Sequence, residues 1–340
     1  MPEIPVYHHR IPQTYMKPWC FSNNSIWTFD KNTNKSKIRN IENICGVNHF
    51  HSIKAGSLYT NDVALQKIFG FLIPYEVVLE GADLDTLRDR NNRFLDFDKW
   101  EIYYPNGKGV NKRDRNVIYQ QLLQTVNTSI EEKWSTEFEN DWGKISQQLY
   151  DTLHKIQRNQ TVALTSHASE TIMKYFVMFE WRGKFGNPTL SNLWQFIFTD
   201  VFDGGCMEIP LEDRVYSSDQ TIAEEMKHAF LLKSFDEFFL HTGAMFKAYQ
   251  IYCQSLTFIF LFSDNKKIIT SDNPCFTFKN KDGLKEPIFA VLPNLLISLA
   301  KKDPDEPHSY KIATLTDEQV EEYNIAIIQN GDLILSYNKL

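Results

Sequence analysis

The chain has 340 residues, 42% hydrophobic and 14% aromatic, with a formal net charge of -7. That is long and apolar enough for one large core or two smaller ones, which excludes a disordered chain. The acidic balance excludes the broad basic face by which proteins hold duplex nucleic acid through many phosphates.

The longest strongly apolar run, residues 256–262, is far short of the roughly 20 residues that span a bilayer, so no membrane helix is expected. Cys20, Cys45, Cys206, Cys253 and Cys275 are odd in number and include no C-x-x-C pair, which argues against a disulfide framework and a zinc knuckle. The start, Met1-Pro2-Glu3-Ile4-Pro5, has neither a basic leader nor a secretory-type apolar core, and the expectation is a cytoplasmic protein with reduced thiols.

In chain order, His8-His9-Arg10-Ile11-Pro12-Gln13-Thr14-Tyr15-Met16 comes first, polar side chains set beside a proline that fixes the local backbone. Residues 25–30 and 37–41 alternate apolar and polar side chains around Lys31-Asn32-Thr33-Asn34-Lys35 and read as a β-hairpin. His49 and His51 flank Phe50 at alternate strand positions, with no acidic partner nearby in sequence, which is weak grounds for a metal site.

From 61 to about 249 the pattern is mainly helical. A hairpin over 101–110 interrupts it, as do Gly204-Gly205 and Pro210. Lys108, Lys112, Arg113 and Arg115 follow the Asn106-Gly107 turn and form the best local basic site for nucleic acid or a nucleotide, although such runs are commonly solvated loops.

Thr128 and Glu131 carry capping-box spacing for a helix whose stripe is Ile130, Trp134, Phe138, Trp142, Ile145, Leu149 and Leu153. Further helices are predicted over 165–182, 189–201 and 221 to about 253, the last broken near Gly243, with His228 and His241 as structural histidines. Helices in such series suggest a bundle.

Beyond 256 the pattern turns to strands over 257–262, 267–269, 274–278, 287–291 and 295–299, then a helix from Thr316 to about 330 and a last strand over 333–337. No composition break requires separate domains. The expectation is one α+β domain over 1–340: a strap and hairpin (1–60) and a helical bundle (61–255), packed on an antiparallel-rich sheet (256–340).

The first motif, with His9, Pro12, Gln13, Tyr15 and Met16, and the second, Thr270-Ser271-Asp272-Asn273-Pro274, resemble the marks of a large, widely distributed bacterial family of domains of unknown function. That family carries H-H-x-[IV]-P-x-x-Y-[LM] near its start and T-S-D-N-P near its end. The resemblance extends over nearly the whole chain, with Met16 in place of the more usual leucine, a volume-conserving change. It also matches Phe138-Glu139-Asn140 to an acidic position on a long helix, Arg182 to a helix-ending arginine, and Pro293 and Asn324 to a strand-breaking proline and a helical asparagine.

These residues define a candidate catalytic set, His9, Glu139, Arg182 and Asp272, with Gln13, Tyr15, Ser271 and Asn273 to position substrate. Histidine exchanges protons near neutral pH. The carboxylates would hold a divalent metal ion or orient the histidine, and the guanidinium fork suits phosphate.

The inventory best fits hydrolysis of a phosphodiester, a nuclease-like activity with or without a metal. A toxic or anti-phage effector is an analogy at family level only. The alternative is a non-catalytic sensor that binds a nucleotide, a peptide terminus or a partner protein in the same polar pocket. A structural role is the third reading: Asp272-Asn273-Pro274 is also turn chemistry, and the two motifs would then dock the strap on the sheet.

Overall fold

Leu295–Lys301 and Lys285–Leu292 are apolar along most of their length rather than alternating, as strands covered on both faces must be. In the computed structural model they lie side by side in a six-stranded sheet. Its order is Thr161–Ala163, Ser309–Thr314, Leu256–Phe262, Leu295–Lys301, Lys285–Leu292 and Cys275–Lys279. Every pairing is antiparallel except Leu256–Phe262 with Ser309–Thr314. The structure describes residues 7–137, 139–154, 161–163, 166–183, 207–210, 214, 221–279, 283, 285–303, 305 and 309–339.

The predicted N-terminal hairpin forms from Ser25–Asp30 and Lys35–Asn40. It extends a second sheet in the order Thr270–Ser271, Leu333–Ser336, Ser25–Asp30, Lys35–Asn40. The hairpin is therefore continuous with the end of the chain, in an α+β fold with antiparallel-rich sheets.

The chain divides into two compact units. One comprises the described parts of Met1–His8, Val47–Lys133 and Leu193–Asp236, the other those of His9–Gly46, Trp134–Asn192 and Glu237–Leu340. Both sheets described above belong to the second unit. The first contains a three-stranded sheet, Ala82–Asp83, Glu76–Leu79 and Trp100–Tyr103, and the helices Asp62–Phe69, Leu87–Asn92 and Lys112–Leu122. Asn61, Thr86 and Asn111 cap these helices, each accepting a main-chain N–H three residues on.

Several expectations need correction. The stripe beginning at Ile130 is not one helix: Ile130–Glu137 is followed by a 3-10 turn, Glu139–Asp141, and then by Trp142–His154. Nor do Thr128 and Glu131 form the expected box. Both the Thr128 amide and its hydroxyl donate to the His51 carbonyl, while Glu131 meets the His51 ring.

Residues 267–269 are not a strand. Their amides turn instead to Pro293 and to the Asn324 side chain, and pairing starts at Thr270. The helix predicted over 189–201 lies outside the described residues. Ser166–Arg182, Ile222–Phe239, Gly243–Ser255 and Asp317–Asn330, the last with a complete Thr316–Gln319 capping box, match their sequence patterns. Among the described residues no helix is long and apolar enough to cross a membrane.

Candidate functional site

Pro12 lets the first motif turn sharply: its carbonyl accepts the Tyr15 and Met16 amides, at 3.1 and 3.2 Å, and Gln13–Met16 closes one helical turn. Gln13 is thereby brought back over His9. His9 Nδ1 lies 3.1 Å from the Ile44 carbonyl and Nε2 lies 2.9 Å from Gln13 Nε2. A carbonyl only accepts, so Nδ1 carries the proton and the Nε2 lone pair receives the Gln13 amide. This is the neutral tautomer whose outer nitrogen is basic, the form that a general base requires.

Arg182 has a fully buried side chain. Its guanidinium pairs with Glu139, donates to the His9 carbonyl and stands 5.2 Å over the Trp134 ring. His9, Glu139 and Arg182 thus converge, as their residue types suggested. Arg182 nevertheless does not present a phosphate fork. A guanidinium removed from water needs a carboxylate, and Glu139 fills that need inside the fold. The contact to His9 is made to its main chain and not to its ring.

The second motif is bound into the same unit. Tyr15 is fully buried, donates to the Ala290 carbonyl at 2.6 Å and lies 2.7 Å from Thr270 Oγ1. With its one proton given to Ala290, the phenol oxygen receives the threonine hydroxyl. Ser271, also fully buried, bonds through Oγ to the amide and carbonyl of Asn273. Tyr15 and Ser271 therefore spend these hydrogen bonds on holding the fold in place.

Asp272 Oδ1 accepts the amides of Asp332 and Leu333, at 2.9 and 3.1 Å, while its own amide donates to the Leu333 carbonyl. It clamps the turn that leads into the last strand. Its charge is also felt at Cys45, whose thiol is pushed well up from its ordinary range, first by burial and then by Asp272. Asn273 donates to the Asn330 carbonyl and lines a cavity of about 470 Å³ with Glu180, Tyr252, Cys275 and Thr277. Asn273 thus borders open space together with a carboxylate.

In the other unit the histidines set aside in the sequence make a compact group. The His51 amide donates to His8 Nδ1 at 2.8 Å, and the two rings stack 5.1 Å apart. His51 Nδ1 lies 2.5 Å from Glu131 Oε2, so the acidic partner that the local sequence lacks arrives from 80 residues away. Sequence spacing could not expose it, because Glu131 satisfies a capping pattern equally well. His228 Nε2 donates to the Phe50 carbonyl at 2.7 Å, a satisfied structural histidine.

A cavity of about 790 Å³ opens within this unit. One wall is the 54–58 turn. Asn91 fixes that turn by accepting the Gly56 amide at 2.9 Å and donating to the Ser57 carbonyl at 3.1 Å. Gly56 has φ +82°, and a Cβ there would come 2.9 Å from Phe94, so glycine is required on both counts. Phe94, Phe97 and Tyr119 also line it, with Phe94 and Tyr119 stacked at 6.0 Å.

Lys112 and Arg115, two of the four basic residues singled out in the sequence, line the same space. Arg115 is held by the main-chain carbonyls of Trp100, Phe97 and Asp98 and lies 5.0 Å over the Phe97 ring. Its charge is thereby fixed in position by dipoles alone among the described residues.

The residues present do not assemble a metal site: among those described, no group of three or more His, Cys, Asp or Glu is gathered to hold an ion. No curated protein and no solved structure matches the chain. A family model described as a protein of unknown function (DUF4238) matches residues 7–335, nearly the whole chain, and the chain belongs to that family.

Proposed function

We propose that the protein is a ligand-binding module whose small-molecule seat is the 790 Å³ cavity lined by the 54–58 turn and the Lys112–Leu122 helix. The observation that carries this reading is the cavity itself. Its volume lies in the range of about 300–1,000 Å³ common to small-molecule sites, and its walls join aromatic faces to a few fixed polar groups. The buried pairing of Arg182 with Glu139 weighs in the same direction, since a charge satisfied within the fold is not available to a substrate phosphate.

Displacement of the neutral dye N-phenyl-1-naphthylamine tests the cavity. Saturable dye fluorescence that disappears in an Asn116→Trp variant of unchanged circular dichroism is expected, because Asn116 is exposed and lines the space. Equal dye binding by that variant would remove the cavity as the seat.

A second reading, hydrolysis of a phosphodiester, is favoured by one geometric fact: the His9 imidazole presents its basic nitrogen to a neutral amide that a substrate could displace. Cleavage of a single-stranded oligonucleotide by the purified chain, abolished by His9→Ala and kept by His8→Ala, is its expected signature. No cleavage with or without added magnesium or manganese would reject it.

A further inference from the structure

We infer that the ligand of the first unit's cavity is an aromatic anion of nucleotide type, a planar ring joined to a phosphate or carboxylate; this rests on that cavity being the ligand seat. Three features on its walls carry the inference.

The first is a cation fixed without a carboxylate. Arg115 directs three hydrogen bonds to the carbonyls of Trp100, Phe97 and Asp98. Those bonds use three of its five N–H donors and leave Nε and one Nη1 hydrogen. Carbonyl dipoles orient a guanidinium but do not cancel its charge, so an anion arriving at this wall meets a preset positive group and pays little to organise it. Arg182 shows the opposite design, a guanidinium matched by Glu139.

The second feature is Lys112, exposed at the rim and engaged by no described residue. Two cations of different shape are then presented to one space, the planar fork inside and the flexible amine at the edge. Asp98 and Glu225 also border the cavity. With Lys54 as a third cation, the balance of the lining is one positive charge, counting Lys54, Lys112 and Arg115 against Asp98 and Glu225.

The third is the aromatic wall. Phe94, Phe97 and Tyr119 form one aromatic cluster, with Phe94 stacked on Tyr119, Phe97 tilted against Tyr119 at 5.0 Å, and Arg115 over the Phe97 face. A flat ring can lie against such a cluster beside the cation, and base-on-aromatic stacking of this kind is tolerant of which ring is bound. An inorganic anion would use only the cations and a neutral apolar ligand only the rings. A ring-bearing anion uses both.

Titration of the full chain with the four ribonucleoside 5′-monophosphates, the corresponding nucleosides, inorganic phosphate and 1-naphthoate, followed by calorimetry at two salt concentrations, separates these classes. Expected is binding of at least one nucleotide or of 1-naphthoate at least tenfold tighter than of nucleoside or phosphate alone, weakened by added salt. A preference for a nucleotide over 1-naphthoate identifies a phosphate source, and the reverse preference a carboxylate.

Lys112→Gln, which disturbs no bond among the described residues, is expected to weaken that binding about tenfold, the order of one charge-assisted contact. Arg115→Gln should weaken it further but also loosens three carbonyls, so Lys112→Gln decides. Unaltered affinity in Lys112→Gln, or nucleoside binding as tightly as nucleotide, overturns the inference. Dye binding sensitive to Asn116→Trp with no bound anion overturns the ligand class and leaves the cavity as a seat, whereas loss of both sinks the underlying reading as well.

Discussion

The phenol oxygen of Tyr15 receives a hydrogen bond from Thr270 Oγ1 at 2.7 Å and passes its own proton to the Ala290 carbonyl. One buried hydroxyl thus joins the two sequence motifs that stand furthest apart in the chain. Phe179 packs edge-on against the Tyr15 ring with centroids 4.6 Å apart, so the phenol is held on its sides as well as at its tip.

Tyr15→Phe keeps that packing but strands a buried hydroxyl and a buried carbonyl. The loss should be about 1–3 kcal/mol. Urea denaturation measures it, and a change within error would mean that the bond is not what joins the motifs.

Asp272 should behave as a clamp. Because one oxygen, Oδ1, takes both the Asp332 and Leu333 amides, Asp272→Asn retains an acceptor and should lose little, while Asp272→Ala should lose about 1–3 kcal/mol. Equal losses in the two variants, measured by thermal unfolding, would assign the effect to charge and not to the two amides.

Gly331 has an ordinary extended backbone, yet a Cβ placed there would lie 2.4 Å from Ser271 Cβ and 2.6 Å from its Oγ. Ser271 sits in a paired strand and bonds to Asn273, so it cannot easily withdraw. Gly331→Ala should therefore cost about 1–3 kcal/mol through overpacking. A Ser271→Gly background should restore part of that loss. No rescue in the double variant would place the strain elsewhere.

Arg182→Met leaves the Glu139 carboxylate mostly buried without its cation, a change of about 3–5 kcal/mol for such pairs. Adding Glu139→Gln removes the stranded charge, and the double variant should be more stable than Arg182→Met alone. Strictly additive effects in the double-mutant cycle would show that the two side chains do not share their energy.

Alkaline pH should weaken the fold. Burial raises the pKa values of Tyr15, Cys45 and Cys275 above their ordinary 10.0, 9.0 and 9.0, making each a weaker acid. The unfolded chain then releases protons from about pH 9 upward that the native chain retains. The unfolded state binds fewer protons there, and stability falls as pH rises. The urea midpoint should be level through about pH 8 and decline from about pH 9 to 11. A midpoint unchanged at pH 11 would contradict the burial of these groups.

What the sequence determined by itself is everything that local pattern controls. The Lys31–Asn34 turn and its alternating flanks specify the hairpin, continuous apolar runs specify the central strands, and Thr316 with Gln319 specifies a helix start. Motif spelling also picked out residues that converge: His9, Glu139 and Arg182 come from three separate segments.

Tertiary structure decided what those residues face. Whether Arg182 offers its charge outward or spends it on Glu139, and whether Glu131 caps a helix or grips His51, depends on partners 43 and 80 residues distant. The same holds for Lys112 and Arg115, which read as a solvated basic run and prove to line the 790 Å³ cavity. A side chain's chemistry is written in its type, but its availability is fixed by desolvation and by the groups that satisfy it. Those arise only when distant segments pack.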